Sequence, residues 1–395
     1  MTDVRPGPWL RLTALAAAAA TLLAVASGAA GLDTAHRVLA AVALPPLLAL
    51  CVAAWVTHRQ LLPAAVGALG LFGAAALVTT PSLHIALAAF AFAAVLLVAA
   101  RSYRGEPAPR ARVRDYVTLT KPRIMSLLLV TGFCGLVAGA RGWPGTGVAL
   151  ATMAGLALAC GGASALNHVL DRDIDRLMGK RTRARPLASD RMPAAHALEF
   201  GLALSAFSFV LLASAVNVLT AVLALVGNLF YVLVYTRWLK RSTPQNIVIG
   251  GAAGAVPPLV GWAGATGNLT LTAGFLFLIV FLWTPPHFWA LALLIKRDYA
   301  AARIPMLPVV KGDRETTKQI VVYSIVLVAC SLAPLGWHVF GTVYLGAAAV
   351  LGAVFLALAL RLRREATPAR AGALFHYSLL YLALLFVAMA IDPVL

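Results

Sequence analysis

The feature that most constrains this chain is a series of long apolar runs separated by short charged segments. The runs are about 18–25 residues long, which is the length that a helix needs to cross a bilayer. Because the bilayer core offers no water to backbone groups, each spanning segment must be a helix or part of a closed barrel. The runs are rich in Leu, Ala, Val and Gly, which suits helices. The sequence therefore predicts an all-α, polytopic transmembrane helical bundle.

Thirteen of these runs are candidate spans. Only 12% of the 395 residues are charged, against about 25% in a soluble protein. Four runs lie before a charged, proline-containing linker at 101–123, and nine lie after it. We expect an N-terminal membrane extension over 1–105 and a nine-helix domain over 106–395. The predicted spans are 9–30, 38–57, 61–79, 84–100, 124–140, 147–168, 194–215, 217–236, 246–265, 270–294, 319–339, 342–361 and 372–391.

The basic residues segregate to one side of this predicted topology. Thirty of the 32 Lys and Arg lie in loops of one side, and only Arg37 and Arg141 lie opposite. The positive-inside rule makes the basic side cytoplasmic. We expect a multi-pass protein of the cell membrane, with its N-terminus and active-site loops in the cytoplasm and its C-terminus outside. The net charge of +18 then reflects topology and binding of an anionic substrate, rather than binding of nucleic acid.

The strongest candidate site lies at the end of the sixth predicted span, in the sequence Asn167-His-Val-Leu-Asp171-Arg-Asp-Ile-Asp175. The spacing i, i+4, i+8 places Asn167, Asp171 and Asp175 on one helical face. Aligned oxygen ligands suit Mg²⁺, which one or two carboxylates and a substrate phosphate usually hold. The alternative is a solvated helix end with Arg172 and Arg176 as partners. Because Asn167 starts within a span, where polar residues tend to be functional, we favour a metal site at these three residues.

Basic residues suited to phosphate lie near this motif and in a second loop on the same side. Arg181, Arg183 and Arg185 could clamp a diphosphate, a geometry for which guanidinium groups are suited. A topology signal accounts for part of this charge. After the tenth predicted span, Lys296 could contact phosphate, and Asp298 offers a second carboxylate. These residues predict a weaker second metal or substrate position.

A further candidate lies inside the tenth span, in Trp283-Thr-Pro-Pro-His287-Phe-Trp289. A proline pair kinks a transmembrane helix, and His287 is then an ionisable group among aromatic rings. It could contact a flat aromatic substrate. The alternative is a packed, hydrogen-bonded histidine, which the sequence alone favours slightly.

Taken together, these motifs resemble the UbiA superfamily of intramembrane prenyltransferases, and within it the branch that farnesylates haem. The resemblance covers about 115–395. It rests on Leu119-Thr-Lys121-Pro122-Arg123-Ile, the Asn167–Asp175 motif, Arg181-Thr-x-x-Arg185-Pro-Leu, Tyr235-Thr-x-x-Leu-Lys240-Arg241-x-Thr-x-x-Asn246-Ile-Val-Ile-Gly-Gly, Ala255-x-Pro257-Pro258-x-x-Gly-Trp262, Thr284-Pro-Pro-His287-Phe-Trp and Ile304-Pro-Met-Leu-Pro-Val-Val.

The resemblance implies transfer of a farnesyl group from farnesyl diphosphate to a vinyl group of haem B, with Mg²⁺ as cofactor. It implies a nine-helix UbiA-like core that lies in membrane lipid and holds the isoprenoid in its apolar bundle. It implies catalytic roles for Asn167, Asp171, Asp175 and Asp298. The substrate-binding residues would be Lys121, Arg123, Arg181, Arg185, Lys240, His287, Lys296 and Tyr299. The four extra spans would form a scaffold or a degenerate partner domain, and haem A synthase is a candidate partner.

The chain departs from the family pattern in the second loop. The superfamily has a second Asp-x3-Asp motif, but here Ala302 follows Asp298 at the matching spacing. Arg303 stands where the haem-modifying branch has Gly, so the resemblance does not determine the backbone conformation of the loop at this position. Two rival functions also remain: prenylation of a quinone precursor or another aromatic ring, and membrane transport. His287 and the Ile304–Val310 stretch speak against the first, and the absence of a visible inverted repeat speaks against the second.

Overall fold

The computed structural model describes residues 111–333 and 340–392, together with scattered positions between 13 and 95 that include the helix Leu62–Leu77. Over these residues the chain forms helices and turns without strands. Nine helices of this described part are long and apolar enough to cross a membrane. We number them α1 (Pro122–Ala140), α2 (Thr146–Leu170), α3 (Ala194–Ala215), α4 (Val218–Ser242), α5 (Asn246–Thr266), α6 (Leu271–Leu294), α7 (Gly312–Leu332), α8 (Thr342–Arg364) and α9 (Pro368–Ile391).

The predicted fold class and the nine spans of the C-terminal domain are confirmed, with shifts at some ends. The span predicted at 194–215 matches α3, and the span predicted at 319–339 begins seven residues earlier as α7. Of the four N-terminal spans, the helix Leu62–Leu77 lies within the span predicted at 61–79. Most of the other three, and the boundary near 105, lie outside the described residues, so the two-domain division stays a prediction.

The bundle forms through helix pairs that are neighbours in the chain and through long-range pairs. The most extensive contacts join α2 to α3 and α1 to α5, and α6 packs against both α7 and α9. Small residues bring α1 and α5 close together: a Cβ on Gly261 would lie 1.9 Å from the carbonyl oxygen of Gly132. Such close backbone approach at small residues is how transmembrane helices gain packing energy without a hydrophobic driving force.

Irregular turns in two helices have local causes. Phe230–Leu239 within α4 is π-helical, with the i→i+5 hydrogen bonds that usually mark a functional segment. In α6, Pro285 and Pro286 lie inside the helix, where each lacks the backbone N–H that the helix ladder would use.

Five short helices lie at the same end of the bundle: one precedes α1, two lie between α2 and α3, and two lie between α6 and α7. This end carries the start of α1 and the ends of α2, α4 and α6, because consecutive spans run in opposite directions. These short helices are Val113–Thr120, Arg172–Leu177, Lys180–Arg183, Lys296–Ala301 and Leu307–Val310. This end of the bundle gathers the charged motifs.

Candidate functional site

The Asn167–Asp175 motif occupies successive turns at the end of α2. Although α2 ends at Leu170, the helical hydrogen-bond pattern continues through the next short helix. The Asp171 N–H donates to the Asn167 carbonyl at 2.9 Å, and the Asp175 N–H donates to the Asp171 carbonyl at 2.8 Å. Asn167, Asp171 and Asp175 are 2%, 1% and 1% exposed. This burial rules out the solvated helix end that the sequence left open.

Each member of the motif is paired with a base from another part of the chain. Lys121 Nζ donates to Asn167 Oδ1 at 2.7 Å, and Arg185 Nη1 donates to Asp175 Oδ1 at 2.7 Å. Such charge-assisted hydrogen bonds are short and about twice as strong as neutral ones. They offset the repulsion between carboxylates on successive turns.

The end of α4 supplies two more partners. Lys240 Nζ donates to Asp171 Oδ2 at 2.5 Å, and Thr236 Oγ1 accepts from Asn167 Nδ2 at 3.0 Å. Asn167 Nδ2 also donates to Asp171 Oδ2 at 2.8 Å. Thr236 Oγ1 donates in turn to the Tyr231 carbonyl five residues earlier, at 2.9 Å. The π-helical turns of α4 therefore place a threonine and a lysine on the same side of the site.

One carboxylate oxygen of the site has no hydrogen-bond partner among the residues that the structure describes. Asp171 Oδ1 is buried without a hydrogen bond, and a buried acceptor in this condition is costly. Within 111–333 and 340–392 and the other described positions, no three His, Cys, Asp or Glu side chains come together as a metal site. A cation here would therefore rest on one amide oxygen, one or two carboxylates and substrate oxygens. That oxygen set fits Mg²⁺, which retains waters and shares substrate phosphates.

Burial shifts the pKa values of two charged groups of the site that lie outside the spanning helices. Burial raises the pKa of Asp175, and the Arg185 guanidinium opposes that shift. Burial, followed by repulsion from Arg185, lowers the pKa of Lys121 to about 7, and the Asp171 carboxylate opposes this. An anionic ligand among these bases would favour their charged forms, because an opposite charge stabilises an ionised group.

The second loop packs directly against the first. A Cβ on Gly179 would lie 2.4 Å from Asp298 Oδ2, so a larger residue at this position would displace the Asp298 carboxylate. Tyr299 is partly buried, and burial raises its pKa to about 12, while Arg185 opposes the shift. The structure thus brings Asp298 and Tyr299 to the same end of the bundle as the Asn167–Asp175 motif.

Arg303 ends the second loop in the left-handed region, with φ of 54°. The Arg303 N–H donates to the Ala300 carbonyl at 3.0 Å, and the Ile304 N–H donates to the Tyr299 carbonyl at 2.9 Å. These two bonds form a Schellman turn, in which glycine is the usual residue at this position. The substitution of Gly by Arg therefore leaves the turn in place and puts an L side chain in a strained conformation.

Other predicted site residues have different surroundings. Lys296 Nζ donates to Asp313 Oδ1 at 2.8 Å, and Arg123 is exposed. The side chain of Arg181 lies outside the described part of the chain. Asp173 is the middle carboxylate of the sequence motif. It accepts hydrogen bonds from Nη1 and Nη2 of Arg241, each at 2.7 Å. This bond lowers the pKa of Asp173 to about 2.

His287 is packed between aromatic rings in the bundle. Its ring stacks on Trp283 with centroids 4.3 Å apart, and on Phe375 with centroids 4.7 Å apart. Its Nδ1 lies 2.6 Å from Ser378 Oγ, which itself donates to the Phe375 carbonyl at 2.6 Å. Because the single serine proton is used there, this contact is a hydrogen bond in the tautomer that carries its proton on His287 Nδ1. The packed, hydrogen-bonded interpretation of His287 fits this geometry, and Nε2 is the remaining nitrogen.

Sequence analysis quoted Tyr235 and Thr236 within a motif, but it assigned neither of them, nor Tyr231, to the site. The rings of Tyr231 and Tyr235 stack with centroids 5.5 Å apart, and the charge of Asp171 acts on both hydroxyls. The sequence did contain a signal for these residues. Thr236 and Tyr235 lie four and five residues before Lys240, and residues about one turn apart share a helix face, so they would lie on the same face as Lys240.

Several relatives match about 71% of this chain. A Protoheme IX farnesyltransferase of Roseiflexus sp. (strain RS-1) is 53% identical over 282 residues, which are 71% of this chain and 53% of that protein. Its counterpart in Symbiobacterium thermophilum is 54% identical over 283 residues, 71% of this chain and 94% of that protein. The chain thus spans about half the length of the first relative and nearly all of the second.

Solved structures with a similar fold are more distant in sequence. A digeranylgeranylglyceryl phosphate synthase superposes with a TM-score of 0.60 at 18% identity, over 71% of this chain and 98% of that one. A UbiA homologue from Archaeoglobus fulgidus bound to DMAPP and Mg²⁺ gives a TM-score of 0.52 at 17% identity, over 70% and 99%.

The family model described as the UbiA prenyltransferase family matches residues 128–387, which is more than half of the chain. This match spans most of the described bundle, from α1 to α9, and includes the Asn167–Asp175 motif. The chain belongs to the UbiA prenyltransferase family.

Proposed function

We propose that this protein transfers a farnesyl group from farnesyl diphosphate to a vinyl group of haem B, and so acts as a haem O synthase. The observation that carries the proposal is the buried motif Asn167–Asp175, in which each polar side chain is paired with a base at one end of an apolar bundle. Relatives at 53% and 54% identity that are named Protoheme IX farnesyltransferase support the choice of substrates.

The diphosphate would lie among Lys121, Arg185 and Lys240, and Mg²⁺ would rest on Asn167, Asp171 and Asp175. Two facts support the metal: the unpartnered Asp171 Oδ1, and the Mg²⁺ and DMAPP bound by the homologue from Archaeoglobus fulgidus. When bound, Mg²⁺ neutralises charge that builds on the leaving diphosphate. The three bases add preorganised positive charge at the same oxygens, which is usually the largest contribution to a reaction of this kind.

The proposed reaction breaks the bond between C1 of the farnesyl group and the diphosphate oxygen. A new carbon–carbon bond joins C1 to the terminal carbon of the vinyl group. Water adds to the inner vinyl carbon and loses a proton, so the products are haem O and protonated diphosphate. The stacked rings of Tyr231 and Tyr235 lie near the site and can face a developing allylic cation, since ring faces attract cations.

The acceptor would occupy the apolar bundle rather than its charged end. Aromatic rings cover both faces of His287, and its Nδ1 is engaged with Ser378. A haem contact at His287 would therefore come through Nε2. Asp298 and Tyr299 would complete the diphosphate end, where Gly179 leaves room for the carboxylate.

The finer placement in the cell is also part of the proposal. The nine membrane-capable helices of the described residues make this a multi-pass membrane protein. The charge distribution supports a cytoplasmic N-terminus and cytoplasmic active-site loops in the cell membrane, with the C-terminus outside. Association of the N-terminal extension with haem A synthase stays a prediction.

Competition between acceptors tests the proposed function. The purified full-length chain in lipid vesicles receives farnesyl diphosphate and Mg²⁺ with equal amounts of haem B and a hydroxybenzoate acceptor. We expect haem O as the prenylated product. A prenylated aromatic acid would instead assign the protein to ring prenylation, and coupled ion flux without either product would favour a transporter.

A further inference from the structure

His168 lies beside the proposed site and has no function in it so far. It is 1% exposed, and both of its ring nitrogens are buried without a hydrogen-bond partner in the described part of the chain. A histidine carries at least one N–H in either protonation state. A buried donor that remains unpaired costs about 1–3 kcal/mol, so this side chain requires an explanation.

The surroundings of His168 indicate what kind of partner is missing. It follows Asn167 and precedes Asp171 by three residues, in the last turn of α2. Three bases surround this motif: Lys121 bonds to Asn167, Lys240 to Asp171 and Arg185 to Asp175. These three cations outnumber the two carboxylates of Asp171 and Asp175, so the cluster favours a ligand with anionic oxygens.

We propose that His168 donates a ring N–H to a diphosphate oxygen of the prenyl substrate, as a further substrate-binding residue. The bond supplies the partner that the ring lacks, and the three neighbouring cations hold the same anion. The isoprenoid chain is a hydrocarbon and offers no such acceptor. The inference rests on the proposed function, because it assumes that a prenyl diphosphate is the anion.

Two substitutions separate this role from a structural one. His168→Phe keeps an aromatic ring and removes both nitrogens, while His168→Gln keeps an N–H donor. The full-length chain, with Mg²⁺, is titrated with a non-reacting thiolodiphosphate analogue of farnesyl diphosphate. We expect His168→Phe to weaken binding about tenfold or more, the effect of losing one hydrogen bond to a charged group. We expect His168→Gln to bind within about threefold of the wild type, and neither variant to change the KM for haem B.

Thermal unfolding without ligand gives the second readout. Replacing an unpaired buried polar group by an apolar one of similar shape is neutral or stabilising, so His168→Phe should unfold at the wild-type temperature or above. Wild-type affinity in His168→Phe would overturn the proposal, as would a lower unfolding temperature with unchanged affinity. If His168→Phe cannot be purified, His168→Met replaces it with the same expected result. Binding of the analogue by a wild-type protein that makes no haem O would refute the proposed acceptor and leave the role of His168 standing.

Discussion

Replacement of Asp171 should reduce both the stability of the fold and its catalytic activity. Its side chain is 1% exposed, and the Lys240 side chain that pairs with it is 13% exposed. Removing one partner of a buried ion pair leaves an uncompensated charge and typically costs about 3–5 kcal/mol. We therefore expect Asp171→Asn to lower the free energy of unfolding by about 3 kcal/mol or more, measured by denaturation of the purified protein in detergent.

Asp173 provides a matched control two residues away. It has the same charge and lies in the same motif, but its side chain is 66% exposed and pairs with Arg241. Exposed pairs contribute about 0.2–1 kcal/mol, so Asp173→Asn should reduce stability by less than about 1 kcal/mol. Since Asp173 has no place in the proposed site, haem O formation should change by no more than about twofold, within the small effect of an ordinary surface substitution.

A double substitution distinguishes the loss of stability caused by an unpaired buried charge from the loss of catalytic activity. Replacing both partners, with Asp171→Asn and Lys240→Met, removes the uncompensated charge, and we expect most of the lost stability to return. Haem O formation should remain at least about 10²-fold below the wild type, which is the usual loss when one stabilising group for developing charge is removed. Equal effects of Asp171→Asn and Asp173→Asn on turnover, or recovery of turnover in the double variant, would refute the reasoning.

Two further predictions concern the backbone. Arg303→Gly should relieve the strain of a left-handed backbone conformation, about 1–2 kcal/mol, partly offset by the greater freedom of glycine in the unfolded chain. Thermal unfolding should show a net gain in stability of up to about 1 kcal/mol. An equal gain in Arg303→Ala would contradict the strain argument. Gly261→Ala would place a Cβ 1.9 Å from the Gly132 carbonyl oxygen and should cost about 1–3 kcal/mol or more. Gly274→Ala in α6 has nothing within 4 Å and should raise stability by about 0.5–1 kcal/mol; equal effects of the two Gly→Ala changes would refute the close packing of α1 and α5.

Hydropathy predicts the existence of spans better than their ends. The boundaries of α3 follow directly from the apolar run, because Pro193 precedes it and Asn217, the N-cap of α4, follows it. The helix α7 begins at Gly312, seven residues before the predicted start. Its first turns carry the exposed charged residues Asp313 and Arg314, which interrupt the apolar pattern. A helix that extends beyond the hydrocarbon layer gives no apolar signal there, so its polar turns are missed.

The spacing of the motif predicted which side chains align, whereas its partners depend on the fold. Asn167, Asp171 and Asp175 lie on successive turns, as the helical period requires. The partners Lys121 and Lys240 are 46 and 69 residues away from the side chains that they contact. Such long-range contacts are fixed by the packing of α1, α2 and α4, which no local pattern encodes.

The dependence of haem O formation on a divalent cation tests the central claim most directly. The purified chain, stripped of metal by a chelator, is incubated with haem B and farnesyl diphosphate, and the haem product is identified by mass spectrometry after Mg²⁺ is restored. The account predicts a haem that has gained one farnesyl group and one water, formed only with Mg²⁺ and lost in Asp171→Asn. Unmodified haem B in the wild type with Mg²⁺, or equal product from Asp171→Asn, would contradict it.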